Sequence, residues 1–164
     1  MSVHVVLVEP EIPQNTGNIS RTCACTGSPL HLIRPLGFSI DDRSVRRAGL
    51  DYWSELELHV HDSLSAFLDS AADWPMFLAS TKSGRCYTQV SYPNNCYLLF
   101  GKETKGLPES LLLAHWEQCI RIPMRDCARS LNLSNSVAVI LYEALRQQEF
   151  AGLLSIRSYF PSES

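Results

Sequence analysis

The sequence predicts one α/β domain, a mainly parallel sheet with helices on both faces, and three observations carry that prediction. Short apolar runs of strand length alternate with helix-patterned segments along most of the chain. The 164 residues are 45% hydrophobic and 19% charged, which suits one sizeable core and excludes a disordered chain. A long final segment carries Val137, Ile140, Leu141, Ala144 and Leu145 at i, i+3, i+4, i+7, i+8 spacing, an apolar stripe made to lie on a sheet.

The elements follow in order. Strands are expected over 3–8, 30–33, 56–60, 76–79, 97–100 and 119–122, each a short apolar run. Helices are expected over 18–26, 42–49, 64–71, 109–115 and 134–150. Pro108 is well placed to start the fourth of them, because its fixed φ suits a first helical turn. Strands joined through helices run parallel and are buried on both faces. The domain is expected to span 1–155, with 156–164 a loose tail.

Composition narrows the function. Residues 1–9 have no basic start and only a short apolar run, so no signal peptide is expected. No apolar stretch approaches membrane-spanning length, and a cytoplasmic location is expected. Of six cysteines, Cys23 and Cys25 are separated by one residue, too few for a zinc knuckle. Reduced thiols packing as small hydrophobes are the expectation. His59 and His61 lie on one face of a strand and are read as strand residues, with no metal expected. The net charge of −3 does not favour nucleic acid, but Arg34, Arg43, Arg46 and Arg47, then Lys102 and Lys105, then Arg121, Arg125 and Arg129 form local clusters.

In parallel sheets ligands bind beyond the carboxyl ends of the strands. Segments 9–21, 80–84, 101–108 and 123–135 fall there, and they hold the distinctive sequence. None of the eight glycines are separated by a single residue, so a Gly-x-Gly-x-x-Gly dinucleotide loop is excluded. Gly101-Lys102 lacks both ends of a phosphate loop, and a Gly-x-Ser-x-Gly elbow is absent.

Three motifs remain. In Asn15-Thr16-Gly17-Asn18-Ile19-Ser20-Arg21, Asn15 or Thr16 can cap the following helix, while Asn18 and Arg21 project from one side of its first turn toward a phosphate or ribose. In Phe100-Gly101-Lys102-Glu103-Thr104-Lys105-Gly106-Leu107-Pro108, bare backbone at Gly101 permits close approach of a flat ligand, and Glu103 can accept a hydrogen bond or hold an arginine. In Ile122-Pro123-Met124, then Arg129-Ser130-Leu131-Asn132-Leu133-Ser134-Asn135-Ser136, polar residues crowd one helix start beyond the needs of a cap.

Taken with Glu9-Pro10-Glu11-Ile12-Pro13 and Arg47-Ala48-Gly49-Leu50-Asp51-Tyr52, these motifs make the chain resemble the SPOUT methyltransferases from Val3 to about Leu154. Within them it is similar to the small tRNA 2′-O-methyltransferases of the wobble nucleotide, the TrmL (YibK) group. The resemblance implies a C-terminal trefoil knot, a homodimer and S-adenosyl-L-methionine as methyl donor, without a metal. It implies cofactor contacts at Ala79, Gly101, Ile122, Met124, Ser130 and Leu131, with Ala79 standing where a larger aliphatic residue is familiar. Arg21 is the implied catalytic residue, with Asn18 and Asn135 orienting it or the ribose. A guanidinium has donors and no acceptor, so its expected part is to steer a phosphate and stabilise an oxyanion. Arg46, Arg47, Lys102 and Lys105 are candidate tRNA contacts, and Glu103 a brace for the arginine. The expected substrate is nucleotide 34, cytidine or modified uridine, of leucine tRNAs. Methylation elsewhere in tRNA or ribosomal RNA, and a non-catalytic knotted RNA-binding protein, are the alternatives.

Overall fold

The computed structural model describes residues 2–40, 55–154 and 156. Six strands, β1 (Ser2–Val8), β2 (Leu30–Ile33), β3 (Leu58–His61), β4 (Met76–Ala79), β5 (Asn95–Phe100) and β6 (Cys119–Ile120), form one sheet in the order β3-β2-β1-β5-β4-β6. All five pairings are parallel. Alternation within β1 divides the core between two faces. Val3, Val5 and Leu7 pack with Ile19 and Cys23 of α1 (Pro13–Thr26) and with the apolar stripe of α4 (Leu133–Gln147). Val6 and Val8 face the other way, toward Phe67 of α2 (Leu64–Ser70) and Leu111 and Leu112 of α3 (Glu109–Ala114). The predicted stripe of α4 is buried at all five positions.

Several boundaries differ, each for a physical reason. Helix α1 begins at Pro13, five residues earlier than the pattern implies, and Asn15 and Thr16 lie inside it rather than capping it. Proline is preorganised for a first helical position, and Ile12 at the cap supplies no side-chain hydrogen bond. Helix α4 stops at Gln147 instead of 150, because Glu149 and Phe150 turn left-handed at φ 56° and 51° and the Phe150 N–H closes onto the Leu145 carbonyl at 2.8 Å. Strand β3 is shifted by about a residue to end at His61, and β6 ends at Ile120, beyond which Arg121 only bridges to Cys86.

Cys23, Cys96 and Cys119 are buried free thiols, as small hydrophobes would be, whereas Cys25 and Cys127 are exposed. Burial pushes the Cys96 thiol up to about 12. The expected helix over 42–49, with Arg43, Arg46 and Arg47, and the tail from 157 onward lie outside the described residues. Among the described residues no helix is long and apolar enough to cross a membrane.

Candidate active site

The connections that leave the carboxyl ends of β4, β5 and β6 surround a cavity of about 560 Å³, within the roughly 300–1,000 Å³ typical of small-molecule sites. Ala79, Gly101, Ile122, Met124, Ser130 and Leu131 all line it. Lys102, Glu103 and Lys105 stand on the same wall. The lining combines apolar residues such as Phe100, Ile120 and Ile122 with the 101–106 and 129–132 segments. The lining suits a nucleoside cofactor: apolar walls for a flat ring and polar loop segments for its edge, with the cations Lys105 and Arg129 at the cavity.

Gly101 has a different reason from the one its position suggests. A Cβ there would lie 1.9 Å from the carbonyl carbon of Gly106 and 2.0 Å from the Leu107 nitrogen. The space belongs to the chain itself, not to a ligand. The loop doubles back at Gly106, whose φ of +71° suits glycine, and the Gly106 N–H donates to the Lys102 carbonyl at 2.8 Å. The cavity wall is therefore braced by its own backbone contacts.

This loop is fastened to the segment that begins α1. Lys102 Nζ donates to Glu9 Oε2 at 2.6 Å, and Thr104 donates to Glu11 through both its N–H and its hydroxyl. Hydrogen bonding to Glu9 holds the Lys102 ammonium above the ordinary lysine range. Glu103 accepts from the Glu11 N–H at 2.8 Å, the Ile12 N–H at 3.2 Å and Asn15 Nδ2 at 2.9 Å. Its carboxylate thus serves the N-terminus of α1, where the helix dipole favours a negative charge. The anion expected at that helix end is intramolecular. Asn15, 5% exposed, passes the connection on: its Oδ1 accepts from Asn132 Nδ2 at 2.9 Å. Asn132 in turn caps α4, taking the Ser134 N–H at 2.9 Å and the Asn135 N–H at 3.4 Å.

The structure gathers the six expected cofactor positions and the 102–105 loop around one cavity, but it does not place every expected residue there. Asn18 and Arg21 are exposed on α1, in its second and third turns instead of its first, because the helix starts at Pro13. Asn135 is exposed on the first turn of α4 and engages Asn132 through its backbone. All three lie outside the cavity lining; α1 and α4 pack together beside it. Asn15 and Asn132 were absent from the expected site residues, yet they join the two helix starts to the cavity wall. The one signal for them was the excess of asparagines at two helix boundaries.

Residues 2–142 match the model of the SpoU rRNA Methylase family. An Escherichia coli protein named tRNA (cytidine(34)-2′-O)-methyltransferase is 50% identical over 151 residues, covering 92% of this chain and 96% of its own length. A solved structure described as structural insights into the 2-OH methylation of C/U34 on tRNA is 45% identical. It superposes with a TM-score of 0.87 over 90% of this chain and 97% of that one. An AdoMet-bound rRNA methyltransferase from Sinorhizobium meliloti is 25% identical, with a TM-score of 0.79 over 88% of this chain and 56% of that one.

Proposed function

The chain belongs to the SpoU methylase family, and from that premise we propose that it transfers a methyl group from S-adenosyl-L-methionine to the ribose 2′-oxygen of nucleotide 34, cytidine or uridine, of tRNA. The observation that carries the reading is the convergence of Ala79, Gly101, Ile122, Met124, Ser130 and Leu131 on one cavity. Proteins named for this reaction match almost end to end, which favours it over a site in ribosomal RNA.

The bound cofactor supplies a methyl carbon on a sulfonium, open to in-line displacement. The residues of this chain supply alignment and charge. The self-closed 101–107 loop holds its backbone groups in place before binding, so little order has to be gained. The Glu103–Asn15–Asn132 chain fixes α1 and α4 against that loop. Arg21 donates to a substrate phosphate and to the developing 2′-oxyanion, with Asn18 and Asn135 orienting the ribose. The 2′-oxygen would give up its hydroxyl proton to water as it takes the methyl group. Lys105 and Arg129 at the cavity, and Arg46 and Arg47 outside the described residues, are the proposed RNA cations.

The same reading includes a single domain, a cytoplasmic location, leucine tRNAs as substrate, a homodimer and a C-terminal knot. Exposed Val139 and Tyr142 on the outer face of α4 favour a partner there. The path from edge strand β6, past the 101–107 loop, to α4 lying over β1 and β5 favours threading. Nucleoside mass spectrometry of tRNA from cells with and without the gene tests the function. The 2′-O-methyl group at position 34 is expected to vanish without the gene; its persistence, with loss at another position, would replace the proposed substrate.

A further inference from the structure

We propose that Lys102 is a positioning residue of the methyl transfer rather than an RNA contact, acting by holding Glu9 in the turn from which α1 departs. The inference rests on the proposed function above and deepens it.

Glu9 follows β1 with φ +52°, a left-handed conformation that residues other than glycine seldom adopt. Something must hold it. One side is held by backbone: the Glu9 N–H donates to the Ile33 carbonyl at 2.9 Å, and the Gly37 N–H donates to the Pro10 carbonyl at 3.0 Å. That side has no slack, since a Cβ on Gly37 would come within 2.6 Å of the Glu11 carbonyl oxygen. On the other side the Glu9 carboxylate meets Lys102 Nζ at 2.6 Å, with the two side chains 32% and 28% exposed. Lys102 is itself anchored, because its carbonyl accepts the Gly106 N–H within the closed loop.

The pair thus spans the cavity wall and the only covalent approach to α1, four residues before Pro13. A change in the Glu9 turn rotates the entry to the helix that carries Asn18 and Arg21. Lys105, three residues on and exposed, donates to no carboxylate among the described residues and is the better placed cation for RNA. A lysine committed to a partly buried carboxylate adds little net charge to a phosphate surface.

The two roles predict opposite behaviour. If Lys102 contacts a phosphate, Lys102→Met lowers the salt slope of tRNA binding by about one, and Glu9→Gln, which frees the cation, keeps or tightens binding. If Lys102 positions α1, both substitutions lower kcat about tenfold, inside the ~10² that a 1 Å misplacement can cost. The salt slope and the KM for tRNA then stay at wild-type values. The double variant is no worse than either single one, because both remove one interaction, and Lys102→Arg recovers most of kcat by keeping a charged donor. The assay uses tRNA isolated from cells lacking the gene, with S-adenosylhomocysteine calorimetry on each variant. A changed salt slope, opposite effects of the two single variants, or additive losses would overturn the assignment. Loss of cofactor binding or of a cooperative melt in the near-isosteric Glu9→Gln would overturn it too, since the pair would then hold the whole fold. A wild-type enzyme that fails to methylate tRNA would instead sink the proposed function. Wild-type activity with unchanged variants would sink this inference alone.

Discussion

At the carboxyl ends of the strands, Glu103 carries a charge that accepts three hydrogen bonds from the start of α1. On the face beneath α2, a second polar network does without charge. His31, 7% exposed, has His4 Nδ1 2.8 Å from its Nε2 and His61 Nε2 2.9 Å from its Nδ1, while the His59 ring stacks on it at 4.7 Å. Both networks join residues remote in sequence, but they solve different problems. Donors with no helical partner favour a carboxylate beside an open cavity. An apolar face shared with Phe67 and Tyr97 favours neutral imidazoles, and a neutral His31 ring can give one of its two hydrogen bonds and accept the other. Burial first, then the neighbouring His59, His4 and His61, lowers His31 to about 3. Burial is also the leading cause lowering His4 and His61.

The contrast breaks most sharply at Gly101. Replacing it with alanine sets a Cβ 1.9 Å from the backbone of Gly106, and the loop must open. A loss of about 3 kcal/mol of stability is expected, together with roughly 100-fold weaker S-adenosylhomocysteine binding by calorimetry. Retained affinity would show that the loop tolerates another path. Glu103→Gln keeps the shape, removes the charge and turns an amide donor toward other donors. Urea unfolding should register a loss of about 2 kcal/mol, and a change below ~0.5 kcal/mol would mean that water serves the α1 donors equally well.

The histidine network should respond to pH in its own direction. Above the reference imidazole pKa of ~6.5 both states are neutral and nothing is lost. As pH falls below that value the unfolded chain takes up protons that the folded His31 resists until about 3. Stability is therefore present above ~6.5 and declines between ~6.5 and ~3. Melting temperatures over that window should fall for the wild type and fall less for His31→Phe, by about one proton of linkage. Parallel curves would remove His31 from the account. The smallest effect belongs to a pair remote from both networks, with Arg146 exposed and Glu143 largely covered: Arg146→Ala, which breaks the contact at 2.8 Å, should cost under ~1 kcal/mol in the same urea assay.

Much of this architecture could be read locally. Strands β2 and β4 occupy the expected residues, and the i, i+3, i+4 stripe of α4 is the buried one. The positions that line the cavity were implied by the resemblance, motif by motif, and not by the strand pattern. It did not explain them: Gly101 was linked to a ligand, whereas its own loop fills the space. Nor could periodicity find the start of α1. The N–H groups of Glu11 and Ile12 just before it are held by a carboxylate about ninety residues away, and the helix has no side-chain cap of its own for a pattern to detect.

The sequence by itself determined the class of fold, the faces of the helices and the end of the sheet where chemistry lies. Those depend on burial and backbone geometry, which repeat with a local period. Only the tertiary structure decided what Glu103, Asn15, Asn132 and Lys102 do. A hydrogen-bonding side chain takes whatever partner the fold brings within ~3 Å, and that distance has no period along the chain.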